Sequence, residues 1–157
     1  MKVDLYERIW MWAASFMLVA FVVAIVVSAT VSAVHPPSHI ETIDPARVRT
    51  ESEFARPGVT EDENGITVVV LTELYLFLPQ TIRVPADRPI KFRLSSADVI
   101  HGFQIVGTNA NVLVVPGYVS ELVTTFPRAG EYLIVCNEYC GLSHHLMQAR
   151  LVVEDAP

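Results

Sequence analysis

Residues 136–147 read CNEYCGLSHHLM and hold both cysteines of the 157-residue chain, two of its five histidines and one of its four methionines. Thiols, imidazoles and a thioether packed into twelve residues are donors for a soft metal ion, and this mixture selects copper over magnesium or calcium. Zinc favours four Cys/His ligands in C-x2-C pairs, and Met is an unusual partner for it. A mononuclear blue-copper site takes one Cys, two His and a weak Met, so this stretch has a thiol too many. Two thiolates that each bridge two copper ions would use both, in the pattern C-x3-C-x3-H-x2-M if His144 rather than His145 is the ligand. Each ion then needs a terminal imidazole and a weak axial donor, so a second histidine must come from elsewhere. The rival reading is a disulfide between Cys136 and Cys140, which an oxidising compartment would favour. A disulfide leaves the His and Met at these offsets without a role.

The elements that must hold these donors are strands. After Gly65, short apolar or alternating runs follow one another between turn signals: ITVVVLTELYLF, TIRVP, IKFRLSS, HGFQIV, NVLVVPG, SELVTTF, EYLIVC and QARLVVE. In IKFRLSS, Ile90, Phe92 and Leu94 alternate with Lys91 and Arg93, the pattern of a half-buried strand. About eight strands with no long helical period predict an all-β, two-sheet Greek-key sandwich. Cys136 then ends a strand, residues 137–147 form a loop and Gln148 restarts a strand, so a rigid scaffold fixes the donor loop. His101, beside Gly102 near the start of HGFQIV, is the histidine of the folded part that can complete the site. His35 and His39 have four-residue spacing, but Pro36 and Pro37 between them prevent a shared helical face. They belong to residues 35–64, rich in Pro, Ser, Thr and charge, which read as a linker and irregular lead-in to a domain over residues 65–157.

Ahead of the linker, Ile9 to Val34 is twenty-six residues without Asp, Glu, Lys, Arg or His. At ~1.5 Å per residue a helix of this length outreaches the ~30 Å hydrocarbon core of a bilayer. It predicts one transmembrane helix within residues 1–34, with Trp10 and Trp12 in the interfacial belt. A cleaved signal peptide would have a shorter apolar core and a small-residue cleavage site, and Ser32-Ala33-Val34-His35-Pro36-Pro37 is a poor match. Lys2 and Arg8 slightly favour an inside N-terminus. Of the seventeen Asp/Glu and eleven Lys/Arg, fifteen and nine fall in residues 35–157, so the net charge of −6 belongs to that part. Such a surface does not favour nucleic acid; it suits either a cationic protein partner or a solvated surface kept soluble by its charge.

CNEYCGLSHHLM resembles the copper-A loop of cytochrome c oxidase subunit II, where the pattern is C-x-[EQ]-x-C-x3-H-x2-M with an upstream histidine in a V-x-H-like segment. VIHGF at 99–103 is similar to that segment. The resemblance runs on through GTNANVLVVPG and TFPRAGEYLIVCNEYCG and covers residues 66–153, more loosely the N-terminal helix. It implies a cupredoxin fold with a binuclear, mixed-valence copper centre. In that centre Cys136 and Cys140 would bridge, His101 and His144 would be terminal, Met147 would be a weak axial ligand, and the main-chain carbonyl of Glu138 would be the other.

A single span, where most relatives have two, looks like the short form found with B-type haem-copper oxidases. The resemblance therefore implies a single-pass protein of a prokaryotic cell membrane, N-terminus cytoplasmic and copper domain on the outer face. Its partners would be a cytochrome c or blue copper protein as electron donor and a haem-bearing subunit I that reduces oxygen to water and pumps protons. Three further roles are implied. Glu7 stands where short forms can have the mouth of a proton path, with an interfacial anchor charge as the alternative. Tyr75 and Phe77 match the segment where electrons arrive, with core packing as the alternative. The Glu138 carboxylate matches a magnesium ligand of many relatives, with an exposed loop acid as the alternative. The competing functions are a membrane-anchored copper-A carrier outside any oxidase, and a metal-free module with a structural disulfide.

Overall fold

The computed structural model of the chain describes residues 4–31 and 41–155. These fall into two compact units, Met1–His39 and Ile40–Pro157. In the first, α1 runs over Leu5–Val31, and its stretch Leu5–Ser28 has a mean hydropathy of 2.4. At ~1.5 Å per residue it is long enough to cross a bilayer, and its apolar side chains, Trp10 and Trp12 among them, are exposed. The helix begins ahead of the apolar run, with Glu7 in its first turn, where the positive end of the helix dipole favours an acid. His35 and His39 lie outside the described residues.

The second unit is a sandwich of eleven strands: β1 (Glu41–Thr42), β2 (Gly58–Asp62), β3 (Gly65–Glu73), β4 (Leu76–Leu78), β5 (Thr81–Pro85), β6 (Pro89–Ser96), β7 (His101–Ile105), β8 (Asn111–Val114), β9 (Tyr118–Thr125), β10 (Gly130–Val135) and β11 (Gln148–Glu154). One sheet has the order β1-β9-β6-β3-β2, with β4 on β3, and the other has β5-β11-β10-β7-β8. Two pairs, β3 with β6 and β5 with β11, are parallel and the rest antiparallel. Alternation makes the core. Ile90, Phe92 and Leu94 of β6 are wholly buried, as are Phe103 and Ile105 of β7 and Ile134 of β10. Phe103 packs against Phe92 and Phe77, each with ring centroids 5.7 Å apart.

The segment read as linker and lead-in is, from residue 41, part of this unit. Gly58–Asp62 pairs with Val69–Gly65 as the sheet's β2 edge. Val48 and the 3-10 turn residue Phe54 are buried on Val69 and Leu71, the face of β3 turned away from the main core. This second cover explains why VVVL at 68–71 is apolar at consecutive positions, as a strand buried on both faces must be. Arg93, which points outward from β6, clamps the cover. Its guanidinium bonds Glu41 at 2.8 Å and Glu53 at 2.6 Å and also meets Glu121. The hydrogen bond to Glu53 is the main reason its proton is held more tightly than usual, burial opposing. Arg93→Ala is expected to leave three carboxylates facing one another and to cost about 1–3 kcal/mol. Thermal unfolding of the full chain in detergent checks it, with early proteolysis in residues 41–57 as the local sign.

Candidate metal centre

His101 opens β7 and is wholly buried, paired across the ladder with Val114. Cys136 follows the last residue of β10. The loop then leaves the sandwich and returns at Met147, where its neck is closed by the hydrogen bond from the Cys136 amide to the Met147 carbonyl at 3.2 Å. Inside the loop, Gly141 has φ 133°, a conformation open to glycine and strained for other residues. The His144 amide donates back to the Gly141 carbonyl, starting the 3-10 turn His144–Leu146. The turn aims His144 inward and leaves His145 exposed.

The donors converge on the two sulfurs. Cys136 Sγ lies 3.7 Å from Cys140 Sγ, 3.9 Å from His101 Nδ1 and 3.2 Å from the Glu138 carbonyl oxygen. Cys140 Sγ lies 3.5 Å from His144 Nδ1 and 3.7 Å from Met147 Sδ. The ligand atoms of His101, Cys136 and Cys140 are all within 4.8 Å of one another. A disulfide bond is ~2.05 Å, so these thiols are free, and both are buried. Two metal–sulfur bonds of ~2.3 Å span up to ~4.6 Å, so sulfurs 3.7 Å apart can share an ion. Each sulfur has one imidazole nitrogen and one weak donor beside it, a set of soft and borderline donors that fits copper. Burial, then the neighbouring Cys136, push the Cys140 thiol up to about 11.

His101 turns Nδ1 to the sulfurs because its Nε2 is taken by Asp98 Oδ1 at 2.9 Å. Burial would raise the Asp98 carboxyl, but hydrogen bonds from His101 and from the Val99 and Leu74 amides outweigh it and hold it below its ordinary value. The sequence reading missed Asp98, although its place three residues before His101 was visible. It also missed the purpose of Gly102. A Cβ there would fall 1.9 Å from Asn137 Oδ1 and 2.8 Å from the Glu138 amide nitrogen.

The other predicted residues separate. The Glu138 side chain is exposed, and among the described residues it joins no cluster of three metal-ligating groups. Phe77 is wholly buried with its ring edge-on to Phe103, because in the three-residue β4 the central side chain faces the core. Tyr75 lies in the preceding turn against the donor loop: a Cβ on Gly141 would fall 2.8 Å from its hydroxyl oxygen. Glu7 lies in α1, in the other unit.

Residues 68–155 match the family model described as cytochrome C oxidase subunit II, periplasmic domain. The chain is 41% identical to a cytochrome c oxidase subunit 2 of Thermus thermophilus, over 96% of this chain and 92% of that one. A second cytochrome c oxidase subunit 2 from Thermus thermophilus is 45% identical over 76% of this chain and 91% of its own length. Among solved structures, a chain of a heme-copper terminal oxidase dimer superposes with a TM-score of 0.68 at 27% identity, covering 95% of this chain and 99% of that chain. The periplasmic domain of subunit II of cytochrome oxidase of Bradyrhizobium japonicum shares the fold, with a TM-score of 0.52 at 18% identity over 57% of this chain and 83% of its own. The strand order, the paired thiols and these relatives agree that the chain belongs to the cytochrome c oxidase subunit II family.

Proposed function

We propose that this chain is the subunit through which electrons enter a haem-copper oxidase, and that it does so through a binuclear copper centre. The observation that carries the reading is the pair of free, buried thiols 3.7 Å apart, each flanked by an imidazole Nδ1. Cys136 and Cys140 would bridge the ions, His101 and His144 would be terminal, and Met147 Sδ and the Glu138 carbonyl would be the weak donors. Such a centre, when bound, exchanges one electron at a time and leaves no ligand position for a substrate.

The chain's part is to hold the donors still. His101 and Met147 are buried and the donor loop is closed at its neck by the bond from the Cys136 amide to the Met147 carbonyl, so donor positions need change little when an electron arrives or leaves. Tyr139, Leu142 and Leu146 stand exposed on the donor loop, with Val99 and Ile100 exposed just before His101. Against this apolar rim, beside Tyr75, a cytochrome c or a blue copper protein would dock, drawn by the net charge of −6. The electron would pass to haem in a subunit I that reduces oxygen to water and pumps protons. α1 would anchor the subunit, N-terminus inside and copper domain outside. Glu7 would sit at the inner mouth of a proton path, and the Glu138 carboxylate is an exposed acid available to magnesium at the subunit I contact.

Electron paramagnetic resonance of the full chain loaded with copper in detergent tests the centre. One electron hole shared by two copper nuclei gives a seven-line hyperfine pattern, whereas four lines, or two thiols found linked, would overturn the reading. Copurification with a haem protein separates an oxidase subunit from a free carrier. Copper must displace the protons of both bridging thiols, and burial holds the one on Cys140 more tightly than usual, so affinity is expected to rise with pH. Competition against a chelator at several pH values checks it.

A further inference from the structure

The far nitrogen of His101 is held by the Asp98 side chain, and that side chain has a second duty. Asp98 lies in the loop between β6 and β7. Its Oδ1 accepts from His101 Nε2 at 2.9 Å and from the Val99 amide at 2.6 Å, and its Oδ2 accepts from the Leu74 amide at 2.7 Å. Ser96 steadies the loop, its hydroxyl 3.3 Å from Asp98 Oδ1. Leu74 precedes Tyr75, whose ring rests on Gly141, the residue after Cys140. One carboxylate therefore touches a terminal ligand on one side and, on the other, the exposed turn that lies on the donor loop.

We propose that Asp98 is the positioning residue of this centre, fixing His101 in the Nε2–H form so that Nδ1 is free for copper, and pinning the Leu74–Tyr75 turn to the same group. The inference rests on the copper reading above. A carboxylate accepts and cannot donate, so the bond at Nε2 selects the tautomer with its lone pair on Nδ1. Without Asp98 the buried imidazole has no partner fixed at Nε2 and both tautomers become accessible. The Leu74 amide loses its acceptor at the same time, which frees the turn carrying Tyr75. The negative charge also favours the oxidised, more positive state of the centre, so its loss favours reduction.

The test uses the full chain in detergent, with its histidines labelled with nitrogen-15, as wild type, Asp98→Asn and Asp98→Ala. In copper-free protein, the wild-type His101 is expected to show the Nε2–H pattern. Asp98→Ala should show a mixture, and Asp98→Asn should largely keep it, because the amide oxygen still accepts. After loading, Asp98→Ala should bind copper about 10- to 100-fold more weakly, the usual cost of removing such a partner. It should also show unequal hyperfine couplings and a raised reduction potential, whereas Asp98→Asn keeps the couplings near wild type with the potential still raised. A purely structural role would lower the thermal midpoint and leave tautomer, couplings and potential unchanged, which would overturn the inference. If wild type shows the Nε2–H form but no copper–thiolate spectrum, the copper reading fails, and the positioning role fails with it. If wild type loads normally and Asp98→Ala matches it in tautomer and potential, the positioning role alone fails.

Discussion

Cys136→Ser and Cys140→Ser are each expected to abolish the seven-line signal while leaving the sandwich folded. A serine hydroxyl stays protonated near neutral pH and is a hard donor, so it cannot replace a thiolate shared by two soft ions. In the proposed centre, losing one bridge would take both ions out of register, because each sulfur would serve both. The fold does not need the sulfur. Both side chains are small and buried, and Cys136 already donates to the Glu138 carbonyl at 3.2 Å, a bond that a hydroxyl can make. The cost to the copper-free protein should be within about 1 kcal/mol. Met147→Leu is the contrast. It is nearly isosteric, costs below about 1.5 kcal/mol in a core, and removes only the weak thioether 3.7 Å from Cys140 Sγ. It should keep two coppers and seven lines and shift the potential, since an axial donor tunes more than it holds. Copper content, paramagnetic resonance and thermal unfolding on the three variants check the ranking. Equal copper loss in Met147→Leu would contradict it.

The same division between holding and tuning explains what could be read in the sequence. The alternation of Ile90, Phe92 and Leu94, and the turn residues around each run, place the strands because side chains on a sheet repeat every two residues. The spacing of Cys136, Cys140, His144 and Met147 places the donors because the loop is short and tied at its neck. The lead-in was hidden because it has no periodicity of its own. Val48 and Phe54 are its buried apolar anchors, and the sign of its presence lay elsewhere, in the run VVVL at 68–71 that needs cover on both faces. Nor does the sequence distinguish Tyr75 from Phe77. That depends on where β3 ends and β4 begins, and the break at Leu74–Tyr75 turns one ring onto the donor loop and the other into the core. Asp98 and Gly102 flank His101 in plain view, yet their roles come from partners 24 and 35 residues away, Leu74 and Asn137.

Gly102→Ala should damage the proposed copper centre almost as much as losing a ligand, although the residue donates nothing to it. Gly102 lies in β7 with ordinary extended backbone, so only space forbids a side chain. The added methyl would sit 1.9 Å from Asn137 Oδ1 and 2.8 Å from the Glu138 amide nitrogen. The first overlap is with a side chain that can swing away at the loss of its 3.1 Å bond to Asn111. The second is with main chain, and it can be relieved only by lifting the loop between Cys136 and Cys140 or by shifting β7 and His101 with it. Either movement changes the spacing of Cys136 to His101 and to the Glu138 carbonyl, both set by this contact. The expected result is a destabilised protein, by about 1–3 kcal/mol as for other overpacked interiors, that binds copper weakly and gives unequal hyperfine couplings. Adding Asn137→Gly separates the two overlaps. It removes the side-chain clash, so stability should recover in part, while the main-chain clash remains and the couplings stay unequal. Full recovery of the seven-line pattern in the double variant would show that Asn137 alone stood in the way. Persistence of the distortion would mean that the close approach of Gly102 to the Glu138 backbone sets how near the donor loop can come to His101.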